Sequence, residues 1–416
     1  MKQILKYRKL AQTILSVLAV CYGFTSCDDN PDKFEPTKGV PEVIYVRMPD
    51  VASADSLLDG AFLENTICLV GNNLRSVHEI YFNDQKAILN TSFITDHTLI
   101  VVVPKGIPQV VTDKIYLITT NNDVVTYPSG DGKFVSRVPA PVVNSISCEY
   151  VADGDEAVLY GDYFIDDPNI PLQITMAGNV PVKEFISIEK TQVRFVIPEG
   201  AQKGFLNVKT LYGTGRSHFQ FRDDRGMILD WDNLDASGGW RSGNLAEAGG
   251  ISGKYVVFKG AVDNGDWNED GFSFNLWGIS NGRPEGDLFD TKDPSFKEKM
   301  QIKFEINILA PWSADALQIV FTPWGTKDGN GFYSDASIGR ALWIPWANTG
   351  SYQTEGWTTV AIPIANFKYT HEGAVSTIPS AGGYGGLNFF VWNGGVKGTA
   401  CTTEMWIDNI RVVPIE

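Results

Sequence analysis

Apolar residues in this chain either alternate with polar ones or come in runs of four to six, and Gly, Asn, Asp and Pro cut the runs. No long stretch repeats at the helical period, so the pattern predicts short β-strands joined by tight turns. Gln301–Leu309 shows it most cleanly: Ile302, Phe304, Ile306 and Ile308 share one face, and Lys303, Glu305 and Asn307 the other. Past residue 225 the same reading predicts strands at Lys254–Lys259, Gly271–Trp277, Gln301–Leu309, Leu317–Phe321, Arg340–Ile344, Thr358–Ile364, Leu387–Trp392 and Met405–Val413. Eight strands and no helix in about 190 residues predict a β-sandwich of jelly-roll type with a full core of its own.

Two upstream stretches repeat one another. Cys68-Leu69-Val70-Gly71-Asn72-Asn73-Leu74, Glu79-Ile80-Tyr81-Phe82-Asn83 and Thr98-Leu99-Ile100-Val101-Val102-Val103-Pro104 recur as Val158-Leu159-Tyr160-Gly161-Asp162-Tyr163-Phe164, Gln173-Ile174-Thr175-Met176-Ala177 and Thr191-Gln192-Val193-Arg194-Phe195-Val196-Ile197-Pro198. Gly71 and Gly161 are 90 residues apart, and Pro104 and Pro198 are 94 apart. A period near ~100 residues, filled with short strands, fits a small immunoglobulin-like sandwich. The order of strand, Gly-x-x-aromatic/Leu, strand, long gap and strand running into Pro resembles the IPT/TIG fold. That resemblance puts one copy over residues 40–137 and a second over 138–224, with the terminal sandwich at 225–416. The fold class is then all-β: tandem immunoglobulin-like (IPT/TIG) sandwiches followed by a jelly-roll-type β-sandwich.

The N-terminus differs from the rest. Met1 to Lys9 is basic, and Leu10 to Phe24 is a mostly apolar run of fifteen residues. A membrane span needs ~20 residues, so this reads as a secretory signal over residues 1–26. Phe24-Thr25-Ser26-Cys27 resembles a bacterial lipobox, with Phe24 where leucine is usual; it implies an acylated Cys27 as the mature N-terminus. Asp28, Asp29 and Asp32 follow in a polar tether over residues 27–39. Acidic residues just after the lipid-bearing cysteine resemble the surface-export signal of Bacteroidetes lipoproteins, which implies the cell outer membrane. An ordinary secreted protein is the alternative.

Lys+Arg total 34 and Asp+Glu 49, a net charge of −15. Four of the bases and none of the acids precede Cys27, leaving 30 bases against 49 acids, or −19. A body this acidic repels phosphate backbones and anionic headgroups, which excludes nucleic acid as a partner. Cys68, Cys148 and Cys401 have no metal-ligand spacing. The first two sit in apolar runs and read as buried free thiols, a Cys68–Cys148 disulfide being the alternative.

All 11 tryptophans lie past residue 230. Strand parity sorts them. Trp277 is in phase with Ser273 and Asn275, Trp324 with Gln318 and Thr322, and Trp392 with Asn388, while Trp343 opposes Leu342 and Ile344. Four tryptophans thus fall on faces expected to be polar, and large exposed apolar groups cluster at binding sites. Trp346 follows Pro345, where parity fails, and is a fifth candidate. Trp231 and Trp406 read as core, the latter in phase with Ile410 and Val412; Trp357 reads as core or edge. A flat indole covers the apolar face of a pyranose ring, and side-chain amides satisfy its hydroxyls. Asn275, Gln318, Asn388 and Asn393 are the amide candidates.

Lipobox, acidic tail, tandem IPT/TIG modules and a Trp-rich sandwich ending Ile407-Asp408-Asn409-Ile410-Arg411-Val412 together resemble the surface glycan-binding proteins of Bacteroidetes. The type is the SGBP-B group, in the SusE/SusF position of polysaccharide utilization loci. The resemblance implies a non-enzymatic lipoprotein that captures xyloglucan or another β-glucan or hemicellulose. It also implies surface hydrolases and a SusC/SusD-like importer as partners. A glycoside hydrolase is the rival, and it needs two carboxyls across a cleft. Asp263, Asp266, Glu269, Asp270, Glu285, Asp287, Glu404 and Asp408 are available, mostly in turns. The four histidines (His78, His97, His218 and His371) are far apart, with no nucleophile motif. A structural adhesin for protein partners is the third reading. No cofactor is expected; a structural Ca²⁺ among Asp263-Asn264-Gly265-Asp266-Trp267-Asn268-Glu269-Asp270 is the one metal the oxygen density suggests.

Overall fold

The computed structural model describes residues 34–232, 244–264, 271–277, 283–326 and 331–416. Cys27, Trp240, Trp267, Asp266, Glu269 and Asp270 lie outside them. The chain divides into two compact units that part between Val138 and Pro139.

In the first unit, Thr66–Asn72 lies between Glu42–Arg47 and Thr98–Val102 in a three-stranded sheet. The facing sheet orders Gln85–Lys86, Val77–Phe82, Ile115–Thr119 and Val124–Tyr127. Ile67, Leu69, Ile80, Phe82, Leu99, Ile115 and Leu117 fill the space between. The second unit opens with the repeat of this sandwich. Val142–Ile146, Glu156–Asp162, Gln192–Val196 and Phe185–Glu189 form one sheet, and Val180–Pro181, Gln173–Met176, Asn207–Thr210 and Gly213–Arg216 the other.

The repeated glycine has one physical cause in both copies. A Cβ on Gly71 would stand 1.8 Å from the Glu42 carbonyl oxygen, and one on Gly161 1.9 Å from that of Val142. Each glycine faces a bulge in the first strand of its sandwich, at Val43/Tyr45 and Val143/Ser145. A bulge pushes backbone towards its partner strand, and only glycine leaves room.

Among the described residues the terminal sandwich has ten strands: β1 (Met227–Leu229), β2 (Asn244–Ala246), β3 (Tyr255–Val262), β4 (Ser273–Leu276), β5 (Met300–Ile308), β6 (Ala316–Thr322), β7 (Ala341–Trp343), β8 (Thr358–Pro363), β9 (Gly386–Trp392) and β10 (Cys401–Pro414). Sheet A runs β2-β3-β10-β5-β8, with β1 also on β10; sheet B runs β4-β9-β6-β7. Phe258, Phe304, Ile306 and Met405 of sheet A meet Phe274, Leu317, Ile319 and Phe389 of sheet B in one core.

β10 explains why parity misplaces Trp406. Lys303 pairs with Arg411, yet Glu305 pairs with Asp408, so β10 carries one extra residue there. Asn409 takes it up in the left-handed region at φ 49°, as Asn tolerates. Before it, Met405 and Ile407 face the core; after it, Ile410 and Val412 do. Trp406 is therefore turned out of the core, in contact with Tyr255 and Trp357 and donating from Nε1 to Glu404 at 2.9 Å. Trp231 is core as expected, edge-on to Phe274. Cys68 and Cys148 are buried free thiols.

On the outward face of β5, Lys303 is 4% exposed and Glu305 0%, because the second immunoglobulin-like module covers them. Its Glu149 accepts from Lys303 Nζ at 2.6 Å and from Arg411 Nη2 at 2.7 Å. Arg411 also forks onto both Glu305 oxygens at 2.8 and 3.0 Å. The Glu149 amide donates to Thr359 Oγ1, and that hydroxyl donates to Glu305. Burial works against the Arg411 charge, but the two carboxylates outweigh it and its pKa goes up. Two acids thus balance two bases in a site closed to water.

Asp408 is wholly buried beside this cluster and accepts from the Asn409 amide and Ser252 Oγ. Burial pushes its carboxyl up to about 8 despite those two bonds, with Glu305 and Asp232 adding to the rise.

Two predictions follow the two buried sites. Glu149→Ala leaves Lys303 and Arg411 sharing one carboxylate, which costs about 3–5 kcal/mol; urea unfolding is expected to shift to a lower midpoint, and an unchanged midpoint contradicts the assignment. For Asp408, an unfolded aspartate ionises near ~3.9. Between that value and about 8 the folded state keeps a proton the unfolded state has lost, so stability falls as pH rises through the window and levels off above it. Asp408→Asn removes that loss: its melting temperature relative to the parent is expected to be higher at about pH 9 than at about pH 4, and a pH-independent difference rejects the protonated state.

Candidate functional site

With the outward side of sheet A covered around β5, sheet B presents the sandwich's other outward face. The register assembles it in rows. Ser273, Phe390, Gln318 and Leu342 stand side by side; the next row is Asn275, Asn388 and Val320. One step beyond the Leu276–Leu387 pair, Trp277 comes beside Gly386, which pairs with Thr322. A Cβ on Gly386 would stand 2.6 Å from Thr322 Oγ1, so this row holds a notch between an indole and a hydroxyl. Trp324 follows two residues past the end of β6, its backbone pressed on Gly385, where a Cβ would come within 2.4 Å.

One end of this face is sealed. Arg340 is 0% exposed, and its Nη1 donates to Gln318 Oε1 at 3.0 Å and to the Tyr333 carbonyl at 2.7 Å. Gln318 Nε2 donates to the carbonyls of His371, at 3.0 Å, and Asn393. Tyr333, on the helical turn Gly331–Ser334, packs edge-on to Phe390 and donates to Asn275 Oδ1 at 3.1 Å. Trp392 is half-buried and stacks on His371, with ring centroids 5.0 Å apart and planes within 9°. Burial lowers the His371 pKa.

The other end is polar and unsatisfied. Trp277 Nε1, Trp324 Nε1, Thr322 Oγ1 and Asn388 Oδ1 are buried and have no hydrogen-bond partner among the described residues. An orphaned buried polar atom costs about 1–3 kcal/mol, so four of them on one face and its rim call for a partner that completes them. Two indole N–H groups donate; a hydroxyl and an amide oxygen accept. A ligand rich in hydroxyl groups meets both demands.

The expected site residues divide accordingly. Trp277, Trp324, Trp392, Asn275, Gln318 and Asn388 come together on or beside the outward face. Of the amides, only Asn388 keeps an oxygen unengaged; its Nδ2 reaches the Val320 carbonyl at 3.5 Å. Asn393 caps a turn, accepting from the Gly395 amide at 2.9 Å. Two tryptophans are corrected. Trp343 pairs with Leu317 and shares its inward side, its ring against Phe304, Trp312 and Tyr352; it is Leu342 that points out beside Gln318. Trp346 is 3% exposed and donates from Nε1 to the Asp315 carbonyl at 2.9 Å, so it is core. Tyr333, Arg340, His371 and Thr322 were not singled out from sequence as site residues. The first three are brought in from distant loops, and Thr322 carried only its parity.

The strands of this face carry no acid: β4, β6, β7 and β9 have no Asp or Glu. Asp408 and Glu305, the acids whose pKa burial raises, both sit in sheet A. Among the described residues no three His, Cys, Asp or Glu side chains are grouped to hold a metal ion.

The chain is similar to known proteins. The profile of the surface glycan-binding protein B xyloglucan-binding domain matches residues 221–414. The crystal structure of the surface glycan-binding protein PbSGBP-B from Prevotella bryantii is similar over 91% of this chain and 99% of its own, at 36% identity and a TM-score of 0.71. An SGBP-B from a complex xyloglucan utilization locus in Bacteroides uniformis aligns over 91% of this chain and 100% of its own, at 17% identity and a TM-score of 0.44. An IPT/TIG domain-containing protein of Bacteroides ovatus is 26% identical over 238 residues, 53% of this chain; the match spans 46% of that protein's length, so about half of it has no counterpart in the alignment.

Proposed function

Because the chain belongs to the surface glycan-binding protein B family, we propose that it holds a β-linked polysaccharide, xyloglucan first among them, on the outward face of sheet B. The observation that carries this reading is the set of four orphaned polar atoms, Trp277 Nε1, Trp324 Nε1, Thr322 Oγ1 and Asn388 Oδ1, around the notch at Gly386. In this reading Trp277, Trp324 and Trp392 cover sugar faces while Thr322 and Asn388 take hydroxyl protons. Covering a ring face of ~50–60 Å² contributes roughly 1–1.5 kcal/mol per platform at ~25 cal/mol per Å². Three platforms, after association costs, reach micromolar affinity at best, which suits capture followed by release.

The glycan is bound and left intact. A hydrolase needs a pair of carboxyls about the scissile bond, and the strands of this face supply none. Captured chains then pass to surface hydrolases and a SusC/SusD-like importer, with the protein held at the outer membrane through lipid on Cys27.

Affinity electrophoresis of the full chain in gels containing xyloglucan, with reducing-sugar release assayed in parallel, tests this. Retardation without sugar release is the expected result. Trp324→Ala and Trp392→Ala are each expected to weaken binding roughly 5- to 12-fold, the range of one lost platform, with the circular dichroism spectrum unchanged. Wild-type affinity in both variants contradicts the placement of the site; sugar release contradicts the binding role.

A further inference from the structure

A cavity lies elsewhere in the 139–416 unit, where the second immunoglobulin-like module meets the terminal sandwich. It is a cleft of about 760 Å³, within the ~300–1,000 Å³ usual for small-ligand sites, which favour such junctions. Tyr160 and the Glu156–Arg194 ion pair come from the module; Tyr352, Gln353 and Trp357 come from the sandwich. The walls are joined at their base. Thr358 Oγ1 donates to the Ser147 carbonyl at 2.9 Å, the Thr359 amide donates to the same oxygen at 3.1 Å, and the Glu149 cluster lies alongside.

The rings are held before any ligand arrives. The Trp357 indole donates to the Gly249 carbonyl at 3.0 Å and meets Tyr255 edge-on. Tyr352 meets Trp343 edge-on. Tyr160 is 43% exposed, which is unusual for an aromatic ring on an inner strand of its sheet. Between the rings stand a guanidinium, a carboxylate and a primary amide, which together donate to and accept from hydroxyl groups. Asp155 and Glu355 add to Glu156 against the single Arg194, so anionic ligands are disfavoured and a neutral one fits.

We propose that this cleft is a second glycan site, taking a short neutral oligosaccharide stretch. That its ligand is a glycan rests on the reading given for sheet B. The geometry of the cleft stands apart from it. Two sites within one compact unit would let a long polysaccharide bind more tightly than a short oligosaccharide.

Calorimetric titration of the full chain with xylogluco-heptasaccharide is the test, run on the parent and on Tyr160→Ala, Gln353→Ala and Trp324→Ala. The substitutions at Tyr160 and Gln353 are at exposed positions, and an unchanged melting temperature verifies folding. Two sites are expected in the parent. Tyr160→Ala and Gln353→Ala are each expected to weaken one of them at least five-fold and leave the other alone; Trp324→Ala does the reverse. A single site weakened by Trp324→Ala and untouched by both cleft variants overturns the cleft and keeps sheet B. A single site weakened by the cleft variants and untouched by Trp324→Ala keeps the cleft and overturns sheet B. No binding by the parent overturns both.

Discussion

Four charges closed off from water fix how the second unit is built. Glu149 reaches across from the immunoglobulin-like module to Lys303 and Arg411, and Arg411 forks onto Glu305. Taking such ions out of water costs several kcal/mol apiece, recovered only where geometry and hydrogen bonds are complete. A module that rotated away from the sandwich would strand two bases with one acid. The cluster therefore selects one docking arrangement, whatever its net effect on stability. The consequences reach both candidate sites. It covers the β5 side of sheet A, which directs attention to the opposite sheet, and it ties together the walls of the junction cleft.

The outward face of sheet B is organised by contrast. At one end Arg340 gathers Gln318 and the Tyr333 carbonyl, and the Gln318 amide is engaged at both its oxygen and its nitrogen, while His371 Nδ1 has no partner among the described residues. At the other, indole nitrogens, a hydroxyl and an amide oxygen stand buried without partners. Polar groups are seldom left so unless something else completes them. The sealed end ties Gln318 to Arg340 and to neighbouring carbonyls; the unsatisfied end offers the donors and acceptors that hydroxyl groups would complete.

Much of the fold was legible because strand parity and glycine punctuation are local. The Gly71/Gly161 repeat, the inward face of β5 and the outward phase of Trp392 all follow from residues within a few positions of each other. The failures have equally particular causes. Trp406 was misplaced because a single left-handed residue, Asn409, shifts the phase of β10. Trp343 was misplaced because β7 has only three residues, too few for its aliphatic neighbours to mark the core side. The burial of Lys303 and Glu305 was not legible, because a charged face says nothing about a module that covers it. Tyr333, Arg340 and His371 arrive at the site from loops, and no spacing announces them.

The most direct measurement is a crystal structure of the protein with bound xylogluco-oligosaccharide. The account places sugar density against the outward face of sheet B, with hydroxyl groups within hydrogen-bond distance of at least two of Trp277 Nε1, Thr322 Oγ1, Trp324 Nε1 and Asn388 Oδ1. Density that leaves that face empty, with those four atoms still unpartnered, would contradict it.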